Sequence, residues 1–236
     1  MNAFNREMAL ALQKVLDECE SNNDIRSVLI TGAGKAFCAG QDLAEVVDPD
    51  GPGMKKILSE HYNPIIGKIR KLNKPVVAAV NGVAAGAGAN IALCCDVAVA
   101  ARSASFIQAF SKIGLIPDSS GTFFLPRLIG LQKASAFMML GDKVSAAEAE
   151  RIGMIYKVFS DDQFSEASTQ LAATLASMPT KALAFTKQAL NNSLFSNLQD
   201  QLKTEDNLQQ SAAATYDFKE GVQAFLEKRR PIFKGN

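Results

Sequence analysis

Two glycine-rich stretches are placed so that the backbone itself could do chemistry. Gly32-Ala33-Gly34 with Cys38-Ala39-Gly40 makes the first, and Asn81-Gly82-Val83-Ala84-Ala85-Gly86-Ala87-Gly88 the second. Each follows an apolar run, and the two lie roughly 50 residues apart. Small residues just past a strand let a backbone approach a ligand closely. A helix starting near Ala87 would present unpaired N–H groups at its positive dipole end. Gly86, Ala87 and Gly88 would leave those groups sterically open. An N–H from the Ala39-Gly40 turn, facing them, would complete a two-donor cradle for negative charge on a carbonyl oxygen. Losing one donor of such a cradle costs about 3 kcal/mol of transition-state stabilisation. The same small residues serve close packing equally well. A base for such a site has three carboxylate candidates, Asp42, Asp96 and Asp118. Each also reads locally as a cap or turn residue, and local sequence favours that plainer role.

Other constellations fail on residue type. The single histidine, His61, cannot make a zinc site of the usual kind, and no metal site is expected. No Gly-x-Ser-x-Gly elbow exists to hold a triad nucleophile. His61 is therefore expected to be a partly exposed helix residue. Gly32-Ala33-Gly34-Lys35 hints at phosphate binding, but Ala36 stands where a P-loop needs Ser or Thr. Neither stretch contains the Gly-x-Gly-x-x-Gly of a dinucleotide fold.

The elements that must carry the two loops follow from periodicity. Ser27–Thr31 and Val76–Val80 are apolar, β-branched runs that predict buried strands. A helix is predicted from Asn5 to about Asn22, with Met8, Leu12, Val15, Leu16 and Cys19 on one face. Asp48–Gly53 is a loop by composition, and Lys55–Leu72 one or two helices ended by Lys74-Pro75. After the second strand come a helix Ala87–Cys95, a strand Val97–Ala101, a further strand Ser105–Phe110 and a turn Gly114–Asp118. Beyond Gly121, Leu131–Leu140 is helical, and Ser145-Ala146-Ala147-Glu148 has the capping-box form. A last strand is expected in Ile155–Phe159. From Asp161 the chain is nearly all helix, broken at Pro179 and Leu194–Asn197, with the last helix running from Tyr216 to Arg229. Strands alternating with helices predict an α/β class followed by a helical C-terminal part.

The totals exclude several partners. With 25 Lys+Arg against 24 Asp+Glu there is no basic stripe for nucleic acid. No uncharged apolar stretch reaches the about 18 residues a membrane span needs. Met1–Glu7 has no signal-peptide profile. Four cysteines, two of them adjacent at 94 and 95, make a poor disulfide framework and predict a reducing, cytoplasmic setting.

Three segments in order resemble a known family. Thr31-Gly32-Ala33-Gly34-Lys35-Ala36-Phe37-Cys38-Ala39-Gly40-Gln41-Asp42-Leu43, Lys74-Pro75-Val76 running on to Asn81–Gly88, and Gly114-Leu115-Ile116-Pro117-Asp118 are similar to the three signatures of the enoyl-CoA hydratase/isomerase (crotonase) superfamily. The resemblance covers nearly the whole chain. It implies a spiral of ββα units over residues 1–175 and a helical trimerisation region over 176–236. It implies an acyl-CoA thioester substrate, with coenzyme A part of that substrate and no separate cofactor. It implies a homotrimer, or a hexamer built as a dimer of trimers. It carries the oxyanion hole onto the N–H groups of Ala39 and Ala87. Ala36, Cys38, Gln41, Asp42, Leu43, Gly86 and Phe110 are implied to line the substrate path. Phe225 and Lys228 match positions near the CoA moiety, often supplied by a neighbouring subunit. Met1–Asn5 aligns with a segment that follows an N-terminal β-hairpin in the family, so a missing hairpin, an exposed edge to the first sheet and an incomplete pocket rim are expected.

Departures from the hydratases narrow the expectation. The two glutamates that position water in that subgroup fall on Asn90 and Phe110 here. Neither is a carboxylate, which argues against hydration. Asp118 stands where some members carry a catalytic aspartate. Among these the chain is most similar to ring-1,2-epoxyphenylacetyl-CoA isomerases of phenylacetate degradation, with Tyr62-Asn63-Pro64, Ala109–Asp118 and Arg151–Ile155 among the matching segments. The resemblance thus implies an acyl-CoA isomerase in which Asp118 shuttles a proton on an enolate, acting on the ring epoxide or on a 3-enoyl chain. The alternatives are an enoyl-CoA hydratase and a non-catalytic acyl-CoA-binding protein of the same fold.

Overall fold

The structure is a computed structural model and describes residues 1–236. Asn5 opens α1 (Arg6–Ser21) by accepting a hydrogen bond from the Met8 N–H. Then follow β1 (Val28–Thr31), β2 (Ala36–Cys38) and α2 (Leu43–Val47). The next helix is continuous but changes gauge. It begins as α3 (Gly53–Lys56), widens into a π-helical turn over Ile57–Tyr62, and runs on as α4 (Asn63–Lys71). The second spiral turn is β3 (Val76–Val80), β4 (Val83–Ala85) and α5 (Ala87–Cys94). The third is β5 (Val97–Ala101), β6 (Ser105–Ile107), a 3₁₀ turn over Ala109–Ile113, α6 (Gly121–Ile129) and α7 (Leu131–Leu140). β7 (Lys143–Ser145), α8 (Ala146–Arg151) and β8 (Lys157–Phe159) complete the sheets. The chain ends in α9 (Phe164–Ser177), α10 (Thr180–Ser193), α11 (Leu198–Ala213) and α12 (Tyr216–Leu226).

Each turn gives one strand to each of two sheets. One sheet has the order β1-β3-β5-β8 and is parallel throughout. The other has the order β2-β4-β6-β7 and is parallel except for β6–β7. This is the expected spiral of ββα turns with a helical C-terminal part. β1 is an outer strand of its sheet. The core sits between the sheets and the helices, and α5 lies at its centre with all eight residues buried. A helix buried on every side needs small and apolar residues all round, which Ala87-Gly88-Ala89-Asn90-Ile91-Ala92-Leu93-Cys94 supplies at every position but Asn90. No helix is long and apolar enough to cross a membrane.

Four expectations need correction. Ser105–Phe110 is not one strand: pairing stops at Ile107, and Ala109 starts the 3₁₀ turn that Gly114 closes at φ 74°. β8 begins at Lys157 rather than Ile155, because the Met154 and Ile155 N–H groups both donate to the Ala149 carbonyl and hold the chain in a turn. The last helix stops at Leu226, short of Arg229. Lys228 turns left-handed at φ 55° and the Arg229 N–H reaches back to the Ala224 carbonyl, a helix-ending geometry. His61 is buried rather than partly exposed, at 1% of its free surface, inside the π-helical turn.

Candidate active site

The two glycine loops meet. Both follow C-terminal ends of parallel strands, β1–β2 and β3–β4. Gly86 takes φ 54°, ψ −127° and provides no side-chain cap, so the Ala87, Gly88 and Ala89 N–H groups have no partner within the chain. Gly40 sits against this helix start. A Cβ on it would stand 3.0 Å from the Ala85 carbonyl oxygen and 3.8 Å from the Ala87 nitrogen, and its φ of 90° already requires glycine. A Cβ on Gly88 would overlap Cys38 at 2.6 Å, so β2 and the first turn of α5 lie in direct contact.

Pairing at Phe4 decides which N–H of the first loop is free. Phe4 bridges Gln41 in parallel register, donating to the Gly40 carbonyl and accepting from the Asp42 N–H, both at 2.7 Å. Extended backbone points successive N–H groups to opposite sides. The Gln41 N–H therefore faces away from Phe4, and it has no partner within the chain. Ala39, the expected donor, is corrected: its N–H donates to the Met1 carbonyl at 3.1 Å. Gln41 and Ala87 are thus the pair with unspent N–H groups beside the Gly40 contact.

Asp118 is brought to the same helix. Beyond the 3₁₀ turn the chain has no regular secondary structure up to Asp118, then Ser119 and Ser120 both adopt left-handed backbone, φ 49° and 64°, before α6 begins. The Asp118 carbonyl accepts from the Gly121 N–H and from Asn90 Nδ2, each at 2.8 Å. Asn90 lies three residues along α5 from Ala87, an axial rise of about 4.5 Å. The Asp118 carboxylate is half-buried, and burial pushes its pKa up, opposed by the hydrogen bond it accepts from Ser119 Oγ at 2.8 Å. Phe110 closes over Gly86, its ring 3.7 Å from where a Cβ would lie, and forms an apolar wall.

Gln41 is strapped from two sides, a feature the sequence did not disclose. Its Oε1 accepts from Tyr62 Oη at 2.8 Å and its Nε2 donates to Glu45 Oε2 at 2.6 Å. Glu45 Oε1 in turn accepts from the Arg6 N–H at 2.7 Å. Arg6 Nη1 reaches Glu60 and His61 Nε2 at 2.5 and 3.1 Å. A guanidinium only donates, so His61 Nε2 accepts and the ring is neutral, in line with burial lowering its pKa. Tyr62 is fully buried, and burial raises its phenol pKa. Burial likewise pushes the Cys38 thiol up to about 11, so it lines the site as a thiol.

The other expected residues divide. Ala36 is buried in β2 and Leu43 is exposed at the start of α2. Asp42 caps α2, accepting from the Ala44 N–H at 3.0 Å. Asp96 lies at the opposite, N-terminal end of the strands, paired with Arg70 and Lys187 at 3.0 and 2.8 Å. Phe225, 82% exposed, lines an apolar groove of about 440 Å³ between α10, α11 and α12, near Lys228. Within one chain α12 packs chiefly on α11. A polar cavity of about 610 Å³ beside Arg26 and Lys74 opens at the strands' N-terminal ends, away from this chemistry.

Comparison with known proteins identifies the family. The family model described as enoyl-CoA hydratase/isomerase matches residues 1–236. The chain is 47% identical over 238 residues to a 1,2-epoxyphenylacetyl-CoA isomerase of Escherichia coli, covering 100% of this chain and 91% of that one. It is 43% identical over 235 residues to a protein named probable enoyl-CoA hydratase from Rhodobacter capsulatus, covering 100% and 90%. The crystal structure of an enoyl-CoA hydratase from Bacillus anthracis superposes with a TM-score of 0.91 at 33% identity, covering 99% and 91%.

Proposed function

The chain belongs to the enoyl-CoA hydratase/isomerase family, and from that premise we propose that it is an acyl-CoA isomerase working through a thioester enolate. The observation that carries this reading is the tie between Asp118 and the helix that offers the Ala87 N–H. The thioester oxygen binds between the Gln41 and Ala87 N–H groups, which lowers the pKa of the adjacent C–H. On a 3-enoyl substrate, ionised Asp118 takes a proton from C2 and the electron pair delocalises into a dienolate. The same carboxyl returns the proton to C4, and the double bond moves from C3–C4 to C2–C3. The charge is held by backbone dipoles fixed before reaction, the arrangement that contributes most in such sites. The ring epoxide of phenylacetyl-CoA is a second acyl group that the same oxyanion support would serve, and the likeness to the Escherichia coli isomerase favours it.

Hydration fits these side chains less well. A water would need two positioned acceptors, whereas the Asn90 amide is spent on Gln108 and Asp118 and Phe110 offers no polar atom. CoA contacts from Phe225 and Lys228 of a neighbouring copy belong to the same proposal, with a homotrimer or hexamer as the working assembly. The test is a double-bond-shift assay on a 3-enoyl-CoA beside a hydration assay on a 2-enoyl-CoA with one enzyme stock. Shift without hydration is expected. Hydration at a comparable rate would overturn the lone-base mechanism, and CoA binding without either reaction would favour a binding module.

A further inference from the structure

We infer that Asn90, braced by Gln108, is a positioning residue that aims the Asp118 carboxylate at the bound thioester, an assignment that rests on the isomerase reading. Asn90 is the one polar side chain on the wholly buried α5, at 1% exposure. A buried amide is unfavourable unless its hydrogen bonds are made. Its Nδ2 donates to the Asp118 carbonyl and its Oδ1 accepts from Gln108 Nε2, both at 2.8 Å. Room is cleared for it: a Cβ on Gly121 would stand 2.3 Å from Asn90 Nδ2.

Gln108 makes sense only through Asn90. It is 2% exposed, and its Oε1 has no partner. An apolar side chain would fill that space at lower cost, so what Gln108 contributes is a donor that fixes which end of the Asn90 amide faces Asp118. The orientation matters because the next two residues are strained. Ser119 and Ser120 both hold left-handed backbone, which residues with a Cβ keep only where surrounding structure dictates it. The Gly121 N–H and Asn90 Nδ2 together occupy the Asp118 carbonyl. Without the second bond, the peptide after Asp118 can rotate and swing the carboxylate off line. One rigid helix therefore sets the base through Asn90 and offers the oxyanion donor at Ala87.

The test compares Asn90→Ala, Gln108→Met and the double variant with the parent enzyme on a 3-enoyl-CoA, recording kcat, KM and deuterium incorporation from D₂O. Misplacing a reacting group by about 1 Å costs about 100-fold, so Asn90→Ala should lose about that in kcat with KM held within about twofold. Gln108→Met should lose about 10-fold, and the double variant no more than Asn90→Ala alone, because both act through one hydrogen bond. If Asn90→Ala does not fold, Gln108→Met decides, since it leaves Asn90 in place. An active parent whose variants keep kcat within about threefold overturns the assignment alone. A loss of kcat that only tracks the folded fraction overturns it too. A parent that neither shifts a double bond nor exchanges deuterium overturns the isomerase reading and this assignment with it.

Discussion

To act as the proposed base Asp118 has to be ionised, yet its setting disfavours ionisation. Burial raises its pKa, while Ser119 Oγ pulls the other way. A carboxylate whose pKa rises toward working pH is a stronger proton acceptor while it is still ionised enough to act. The consequence for stability has a definite sign. The folded chain binds this proton more tightly than the unfolded chain does. The ionised carboxylate therefore destabilises the fold at pH above its raised pKa, and the effect disappears below the unfolded value. Asp118→Asn should cut kcat by at least about 100-fold and raise Tm at pH 7. In the parent enzyme, kcat should climb with pH through a limb above the usual carboxylate range. Full activity in Asp118→Asn, or a limb at the ordinary carboxylate value, would remove Asp118 as the base. Local sequence favours a turn role for this residue, and the structure shows that role, since its carbonyl accepts the Gly121 N–H. Its proposed chemistry is legible only through the family resemblance, because what sets it apart is contact with Asn90, 28 positions away.

The π-helical turn between α3 and α4 does work for the neighbouring loop. A π turn displaces the side chains after it relative to a regular helix. Here it carries His61 and Tyr62 inward together, and Tyr62 Oη then reaches Gln41. Tyr62→Phe removes that one hydroxyl and leaves the ring packed on Phe4. It should cost about 1 kcal/mol of stability and lower kcat through looser placement of the Gln41 N–H. Thermal melts and steady-state kinetics would check this, and an unchanged kcat would confine Tyr62 to packing. The elements that sequence disclosed are those with a strong local signal. β3 and β5 are five-residue apolar runs, and α1 has a periodic face and an Asn cap. β2, β4 and β7 are illegible because each is three residues long without a flanking apolar run, and Val83-Ala84-Ala85 suits a helix as well as a strand. Which N–H of the first loop is free is illegible in the sequence for a related reason. Consecutive N–H groups of an extended loop point opposite ways, and only the pairing partner, Phe4, says which one is spent.

The C-terminal helices are attached to the core by charge and left open on their outer side. Lys187 of α10 and Arg70 of α4 converge on Asp96, which also accepts from the Val76 N–H at 2.8 Å. Removing one member of such a cluster strands the others in low dielectric. Asp96→Asn should therefore lose about 3 kcal/mol in urea unfolding, with kcat intact in the folded fraction. Phe218, Val222, Phe225 and Leu226 of α12 are all exposed and line one groove with Ala212 and Ala213 of α11. An exposed apolar groove of this kind is a candidate contact for another protein surface. If copies of the chain meet there, α12 becomes the element that can carry Phe225 and Lys228 toward another copy's substrate. Val222→Glu combined with Leu226→Glu places two charges on that face without altering either proposed CoA contact. Sedimentation should show the parent as a trimer or hexamer and the variant as a smaller species. KM for the acyl-CoA should rise about 10-fold, the loss of about 1.4 kcal/mol of CoA contact, with kcat at saturation falling less. A monomeric parent, or a dissociated variant with unchanged KM, would mean that each chain holds its CoA alone and that the open face serves another purpose.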